Sequence, residues 1–148
     1  MGKIAYLFPG QGSQYIGMGK DLIEKYASAK AVFDTADQVL GFPFTELILH
    51  GEKEELKQTV NAQPALLTMS IACLEAAKEA GVLPEAEFAA GHSLGEYAAL
   101  VAAGAMRFET GLRLSRERGR LMYEAGLKEP GTMAAVIALD YDGVKEVC

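Results

Sequence analysis

A serine between two glycines is the residue of this sequence best placed to do chemistry. The pentapeptide 91–95 has the pattern Gly-X-Ser-X-Gly and lies between a short apolar segment and an alanine-rich run. This pattern is typical of a nucleophile elbow, in which a strand reverses into a helix and leaves the serine hydroxyl exposed. Glycines are needed on both sides because so sharp a turn has no room for a Cβ atom. Ser93 is therefore the candidate nucleophile.

A serine that attacks an acyl carbon also needs donors for the oxyanion that forms. The N–H of Leu94, directly after the serine, lies at a helix start, where free N–H groups and the helix dipole favour negative charge. A glycine-rich loop, residues 10–14, follows the first predicted strand. In elbow enzymes a loop in this position supplies the second donor. We therefore predict an oxyanion hole made of the backbone N–H groups of Gln11 and Leu94.

The glycine-rich loop also has to be compared with nucleotide-binding motifs, which fit it poorly. A dinucleotide fingerprint requires a third glycine where Tyr15 stands. A phosphate loop requires Ser or Thr after Gly-Lys, where Asp21 stands. The sequence thus argues against a bound nucleotide, and the remaining alternative to an oxyanion loop is a tight turn without a ligand.

One predicted helix, residues 109–125, carries a single cation on an otherwise uncharged face. Helical spacing places these residues on that face: Gly111, Leu114, Ser115, Arg118, Leu121, Met122 and Ala125. We expect this face to be buried. A guanidinium held there must find an anion, so Arg118 binds either a structural carboxylate or the carboxylate of a substrate. We predict that the opposite side is solvated and holds Arg113, Arg116 and Arg120 with Glu117 and Glu124 as partners.

No base for the serine is evident in the sequence, whose two histidines are His50 and His92. His92 directly precedes Ser93 on a sharp turn, so the two side chains diverge. We expect His92 to pack or to form a hydrogen bond beneath the elbow. His50 precedes a glycine and is expected at the end of a helix.

Composition limits the class of protein. A chain of 148 residues, half of them hydrophobic, can bury the core of one domain. Its net charge of -6 argues against nucleic acid or an anionic membrane as a partner. Cys73 and Cys148 are isolated, which indicates neither a disulfide framework nor a metal site and suits a reducing cytoplasm. No apolar run is long enough for a signal peptide or a membrane span.

The order of the predicted elements indicates an α/β fold. Strands are predicted from the apolar and β-branched runs at residues 3–8, 87–90 and 132–139. Helices are predicted at residues 21–40, 52–60, 64–80, 96–106 and 109–125. Gly41 is expected just past the end of the first helix, and Pro64 at the first position of the third.

Four segments in this order resemble motifs of the malonyl-CoA:acyl carrier protein transacylases of fatty acid synthesis. They are Phe-Pro-Gly-Gln-Gly-Ser-Gln at 8–14, Gln-Pro-Ala-Leu-Leu at 63–67, Gly-His-Ser-Leu-Gly-Glu-Tyr at 91–97, and Arg118-Gly119 within a helix. The resemblance covers essentially the whole chain. It implies that Ser93 takes the malonyl group as an ester, that Gln11 and Leu94 donate to the oxyanion, that Arg118 binds the malonyl carboxylate and that Gln63 lines the same pocket.

The same resemblance implies an organisation and partners. Residues 1–130 would form an incomplete α/β-hydrolase-like three-layer subdomain with a parallel sheet, and residues 131–148 the start of a ferredoxin-like small subdomain. Family members are longer, and their catalytic histidine lies beyond the point that matches Cys148. The chain is therefore expected to be an N-terminal portion that lacks the rest of the same enzyme and is inactive alone.

The implied substrate is malonyl-CoA and the implied partner is acyl carrier protein, with no cofactor and no metal. The implied location is the cytoplasm. Three alternatives stay open at this point. They are an acyltransferase domain of a polyketide synthase, a serine esterase and a non-catalytic fragment.

Overall fold

The computed structural model describes residues 2–131 and 136–147. Its elements, in chain order, are β1 (Ala5–Phe8), α1 (Lys20–Lys25), α2 (Ala27–Leu40), α3 (Phe44–His50), α4 (Lys53–Lys57), α5 (Thr59–Glu79), β2 (Phe88–Gly91), α6 (Gly95–Ala102), α7 (Phe108–Lys128) and α8 (Tyr141–Val147). The fold is α/β with a small parallel sheet, which confirms the predicted class.

The sheet of the described residues pairs β1 with β2 in parallel, with Ala5 opposite Phe88. Parallel neighbours need a long crossover, and here α1 to α5 supply it. Tyr6 and Phe8 point to the helical core, whereas Leu7 and Phe88 on the other face are exposed. Within the described part the helices therefore cover one face of the sheet, which gives two of the three predicted layers.

The central helix is α5, which packs against α2, α6 and α7. It is buried on most sides, as its mainly apolar sequence predicts. Among the largest side chains of the surrounding core are Phe33, Phe44 and Leu67, each at most 1% exposed. Burying a side chain of this size contributes roughly 1.5–3 kcal/mol. This packing fixes the start of α5, where Gln63 lies.

The predicted helix 21–40 is two helices, because Tyr26 adopts extended backbone angles (φ -124, ψ 122) between them. The start of α2 has no side-chain cap from its own first residues. Instead, the N–H of Ser28 donates to Glu79 Oε2 at 2.8 Å. The end of α2 is as predicted, since Gly41 follows it with the left-handed φ of 76.

Ser28 also lowers the pKa of Glu79 below its usual value, through its hydroxyl and its backbone N–H. The N–H bond is the better formed of the two, because the buried hydroxyl oxygen of Ser28 has no partner of good geometry among the described residues. The carboxylate of Glu79, at the end of α5, therefore takes the place of a local cap on α2.

The prediction that Pro64 opens a helix is wrong. The N–H groups of Asn61 and Ala62 both donate to Gln58 O at 2.8 Å and close a turn before the proline. Helix α5 therefore begins at Thr59, and Pro64 lies inside it. The helix predicted at 52–60 shortens accordingly to α4.

The other predicted helix and strand boundaries agree with the structure only in part. Helix α7 agrees with prediction, while α6 ends at Ala102 and not at Met106. Helices α3 and α8 were not predicted, although His50 does end a helix, as expected. The strand predicted at 132–139 lies partly outside the described residues, and residues 136–139 form neither helix nor strand.

Within residues 2–131 and 136–147, no helix is long and apolar enough to cross a membrane. The same residues contain no cluster of three His, Cys, Asp or Glu side chains that could hold a metal ion. The Cys73 thiol is free, and burial raises its pKa, with a smaller contribution from Asp21. Cys148 lies outside the described residues.

Candidate active site

The serine motif forms a sharp strand–turn–helix, as the sequence predicts. Strand β2 ends at Gly91 and α6 begins at Gly95. Between them Ser93 has a positive φ of 53, which costs a non-glycine residue roughly 1–2 kcal/mol. The turn is held by the N–H of Gly95, which donates to His92 O at 2.9 Å. The side chain of Ser93 is exposed at the head of α6.

Both glycines of the motif are required by close backbone approach. A Cβ on Gly91 would overlap the backbone of Gly95. A Cβ on Gly95 would lie 2.9 Å from the carbonyl carbon of Phe8 and 2.9 Å from Pro9 O. Neither contact can be relieved by rotating a side chain, because the atoms are backbone. The end of β1 is thus pressed against the first turn of α6.

The glycine-rich loop after β1 lies beside the elbow. A Cβ on Gly10 would lie 2.5 Å from His92 Nδ1 and 2.9 Å from His92 O. Among the described residues no acceptor occupies the backbone N–H of Gln11 or of Leu94. Both donors are therefore free on adjoining segments, as an oxyanion hole requires. Their role in catalysis stays a prediction.

Arg118 connects the serine to a buried glutamine. Its Nη2 donates to Ser93 Oγ at 3.1 Å and its Nη1 donates to Gln63 Oε1 at 2.7 Å. The amide of Gln63 in turn donates through Nε2 to Met122 Sδ at 3.2 Å. The structure therefore brings together three of the predicted site residues, from α5, the elbow and α7.

Arg118 has no carboxylate partner among the described residues. This speaks against an Asp or Glu of the described residues as its anion. Gln63 is 0% exposed, whereas Arg118 is half-buried. The guanidinium is thus held from its inner side by an amide and faces the serine with its other nitrogen.

Met122 is the site residue that the sequence analysis did not assign to this pocket. It lies one turn after Arg118 on the same face of α7, and i,i+4 neighbours on a helix touch. That spacing was the available signal. A thioether is a weak acceptor, so the Nε2 group of Gln63 is only weakly satisfied.

The face of α7 that carries Arg118 is buried only in its first half. Gly111 and Ser115 are buried, but Leu114, Leu121 and Met122 are 44%, 52% and 39% exposed. The prediction of a wholly buried face is therefore wrong for the described residues. An exposed apolar stripe continues along α7 beyond Arg118.

The predicted solvated face of α7 is confirmed for Arg113 and Arg120, which are exposed, but not for Arg116. Arg116 is half-buried, with its guanidinium 4.6 Å from the ring centre of Phe42, and burial lowers its pKa. Arg120 pairs with both Glu117 and Glu124, and these hydrogen bonds raise its pKa. Arg113 is exposed, and in the described part of the chain it forms no ion pair with Glu117.

Neither His50 nor His92 forms a hydrogen bond with Ser93 in the described part of the chain. Within the described ranges the side-chain hydrogen bond of Ser93 is to Arg118, not to His50 or His92. His92 is exposed and its ring lies next to Gly10, which differs from the expected position beneath the elbow. The described residues therefore contain no histidine positioned as a base for Ser93.

A large apolar cavity lies elsewhere, along β1 and α5. It measures about 510 Å³, and its lining includes Tyr6, Leu7, Leu66, Met69 and Cys73. It contains none of the candidate site residues. It adjoins the exposed face of the sheet and has few polar groups to orient a substrate, so we do not assign the chemistry to it.

Known proteins similar to this chain are acyltransferases, which agrees with a serine nucleophile at an elbow. The chain matches the acyl transferase domain family over residues 5–146. It is 54% identical over 147 residues to the malonyl CoA-acyl carrier protein transacylase of Bacillus subtilis (strain 168), which covers 99% of this chain and 46% of that protein. The chain thus spans less than half the length of this relative, and it matches the N-terminal part.

Solved structures give the same result. The acyl-carrier-protein-S-malonyltransferase from Bartonella henselae superposes with a TM-score of 0.85 at 39% identity, over 99% of this chain and 47% of that one. A malonyl-transacylase in complex with its type II PKS acyl-carrier protein gives a TM-score of 0.79 at 44% identity, over 84% and 40%. The resemblance of the four motifs is thereby confirmed: this chain belongs to the acyl transferase domain family.

Proposed function

We propose that this chain is the N-terminal part of a malonyl-CoA:acyl carrier protein transacylase. The observation that carries the proposal is the hydrogen bond from Arg118 to Ser93 Oγ, at the head of a nucleophile elbow. Arg118 has no carboxylate partner in the described part of the chain, and a cation of this kind beside a nucleophile suits an acyl group that itself carries a carboxylate. The names of the relatives support the same substrate and partner.

In the first half-reaction, Ser93 Oγ attacks the thioester carbonyl of malonyl-CoA. The carbonyl oxygen becomes an oxyanion, which the N–H groups of Gln11 and Leu94 stabilise. The C–S bond then breaks, coenzyme A leaves as the thiol with the serine's proton, and the malonyl group remains on Ser93 as an ester.

In the second half-reaction, the phosphopantetheine thiol of the carrier protein attacks the serine ester. The thiol's proton returns to Ser93 Oγ, and the malonyl group leaves as a new thioester. Both proton transfers need a base, which we place outside the described residues because neither histidine reaches Ser93 within them.

Arg118 binds the malonyl carboxylate in both half-reactions. Gln63 keeps the guanidinium oriented through its 2.7 Å hydrogen bond. A serine esterase would have no use for a cation at this position, which favours the transacylase. The carrier can belong to fatty acid or polyketide synthesis, because one matched structure holds a type II PKS carrier protein.

The organisation of the complete protein follows from the same proposal. Residues 1–130 belong to a hydrolase-like three-layer subdomain that later residues complete, and residues 131–148 open a ferredoxin-like small subdomain. Support comes from the relatives, of which this chain covers less than half. We further propose that the protein works in the cytoplasm and needs no cofactor and no metal.

The test is acylation of Ser93 in the complete transacylase. The protein is exposed to malonyl-CoA without a carrier, and its intact mass is measured. We expect one malonyl adduct on the parent protein and none on Ser93→Ala, because the elbow has no substitute nucleophile. Addition of carrier protein should discharge the adduct to malonyl-carrier.

The control is Ser13→Ala, which removes another exposed serine near the elbow without removing the nucleophile. It should keep the adduct. A malonyl adduct that persists on Ser93→Ala would remove Ser93 from its role. An adduct that water discharges as fast as the carrier does would favour the esterase.

A further inference from the structure

Helix α7 touches the start of α5 at a glycine next to Arg118. Gly119 is buried, and a Cβ built on it would lie 2.8 Å from the carbonyl carbon of Thr59 and 2.8 Å from Val60 Cα. It would lie closer still to Thr59 O. All these neighbours are backbone atoms, so a methyl group at this position requires one helix to move.

The backbone that Gly119 touches belongs to the same helix that presents Gln63. Thr59 begins α5, and Gln63 follows one helical turn later on the same face. On α7, Arg118 directly precedes Gly119 and donates to Gln63 at 2.7 Å. The separation of the two helices at Gly119 therefore sets the distance over which the guanidinium must reach.

We propose that Gly119 is a positioning residue for malonyl selectivity. Its missing side chain lets α7 approach α5 closely enough for Arg118 to bridge Gln63 and Ser93. The inference rests on the proposed function, since it assigns a selectivity role to the same site. Gly119 itself touches neither the serine nor the acyl group.

The expected size of the effect follows from the contact. A distance of 2.8 Å must open by roughly 0.5–1 Å to reach ordinary van der Waals separation. The same shift carries a 2.7 Å hydrogen bond past the ~3.2 Å limit of good geometry. Misplacement of a binding group by about 1 Å can lower a rate by about 100-fold. We therefore expect malonyl transfer to fall about 10- to 100-fold in Gly119→Ala.

Helix propensity alone predicts that Gly119→Ala stabilises the protein and does no harm. Alanine is the better helix former, so Gly→Ala inside a helix stabilises the protein wherever a methyl group fits. Gly111 is the matched control, because it too is buried on α7. The three atoms nearest to its Cβ would all be side-chain atoms and not backbone, the closest being Leu67 Cδ2 at 3.1 Å.

The experiment is a competition in the complete transacylase. Equal amounts of malonyl-CoA and acetyl-CoA are offered without carrier, and the early ratio of the two adducts on Ser93 is read by intact mass. Unfolded molecules acquire neither adduct, so the ratio does not depend on the folded fraction. If Gly119 had only a structural role, the ratio of the two adducts would not change. Because only folded molecules are acylated, even a small folded fraction is enough to measure the ratio.

We expect the malonyl-to-acetyl ratio to fall at least tenfold in Gly119→Ala and to stay unchanged in Gly111→Ala. In an Arg118→Ala background, Gly119→Ala should change the ratio no further, because the group it positions is gone. An unchanged ratio in the single variant, or no acylatable protein at all, would assign Gly119 to folding alone and overturn the inference. A parent protein that takes no malonyl group would instead refute the proposed function.

Discussion

Replacing Arg118 by alanine separates recognition of the acyl group from the chemistry of the serine. The substitution removes two hydrogen bonds, to Gln63 Oε1 at 2.7 Å and to Ser93 Oγ at 3.1 Å. The loss of the Gln63 contact affects every acyl group alike. Only an acyl group with a carboxylate also loses a charged partner. We therefore expect malonyl transfer to suffer much more than acetyl transfer.

The extra loss expected for malonyl transfer over acetyl transfer is that of one charge-assisted pair, between Arg118 and the malonyl carboxylate. Truncating one partner of such a pair in a partly buried site costs about 2–4 kcal/mol. At 1.36 kcal/mol per factor of ten, this is about thirty- to a thousand-fold in kcat/KM for malonyl-CoA. Arg118 is only half-buried, so solvent screening places the effect toward the lower end. Acetyl transfer should show only the loss that is common to both acyl groups, because acetyl has no charged group to leave unpaired.

The assay is steady-state transfer from malonyl-CoA and from acetyl-CoA to holo carrier protein, with kcat/KM determined for each. Arg118→Lys should recover only part of the malonyl activity, because an ammonium group cannot bridge Gln63 and Ser93 with a planar fork. Arg113→Ala is the matched control: it removes an exposed arginine from the same helix and should leave both rates unchanged. Equal losses for the two acyl groups in Arg118→Ala would show that Arg118 is structural.

Two further predictions concern stability and the chain made alone. Because the pKa of Glu79 is lowered, its carboxylate stabilises the start of α2 above the usual pKa of 4.5, and this contribution is lost as pH falls through the lowered pKa. Glu79→Gln should therefore lower Tm, measured by circular dichroism, at neutral pH and leave Tm unchanged in strong acid. A Tm difference between Glu79→Gln and the parent protein that does not depend on pH would contradict the role of Glu79 as a cap. The polypeptide 1–148 made alone should not transfer malonyl groups and should aggregate in size-exclusion chromatography, because Leu7 and Phe88 on the open sheet face are 77% and 53% exposed. Near-normal turnover by a monomer would mean that this chain supplies its own base.

The elbow could be predicted from the sequence because its requirements are local. Two glycines around Ser93 are needed whatever the rest of the fold does, and the positive φ of 53 follows from the same turn. The position of Arg118 on α7 could also be predicted, because helical spacing fixes which residues share a face. Its hydrogen bond to Gln63 could not, since that depends on how α5 and α7 cross.

Two of the errors come from contact between distant segments, and the third comes from a local turn. The break at Tyr26 goes with a cap that α2 receives from Glu79, a residue of another helix. Arg116 was expected in solvent because helical spacing places it on the side of α7 opposite Arg118. In the structure its guanidinium lies over the ring of Phe42, a residue of another segment. Pro64 was placed at a helix start by its usual preference, whereas the turn before it closes on Gln58. In each case tertiary packing or a local backbone bond outweighs propensity.

The pairing of β1 with β2 has a consequence for how the protein acquires its reactive group. Ala5 lies opposite Phe88, so the strands meet only after a loop of roughly 80 residues has closed, at an entropic cost of roughly 4 kcal/mol. Contacts between helices close in sequence form sooner, since non-local pairing is slow. Ser93 is held in its strained conformation by a turn that rests on the end of β1. We therefore expect the nucleophile to be among the last groups to reach its place as the chain folds.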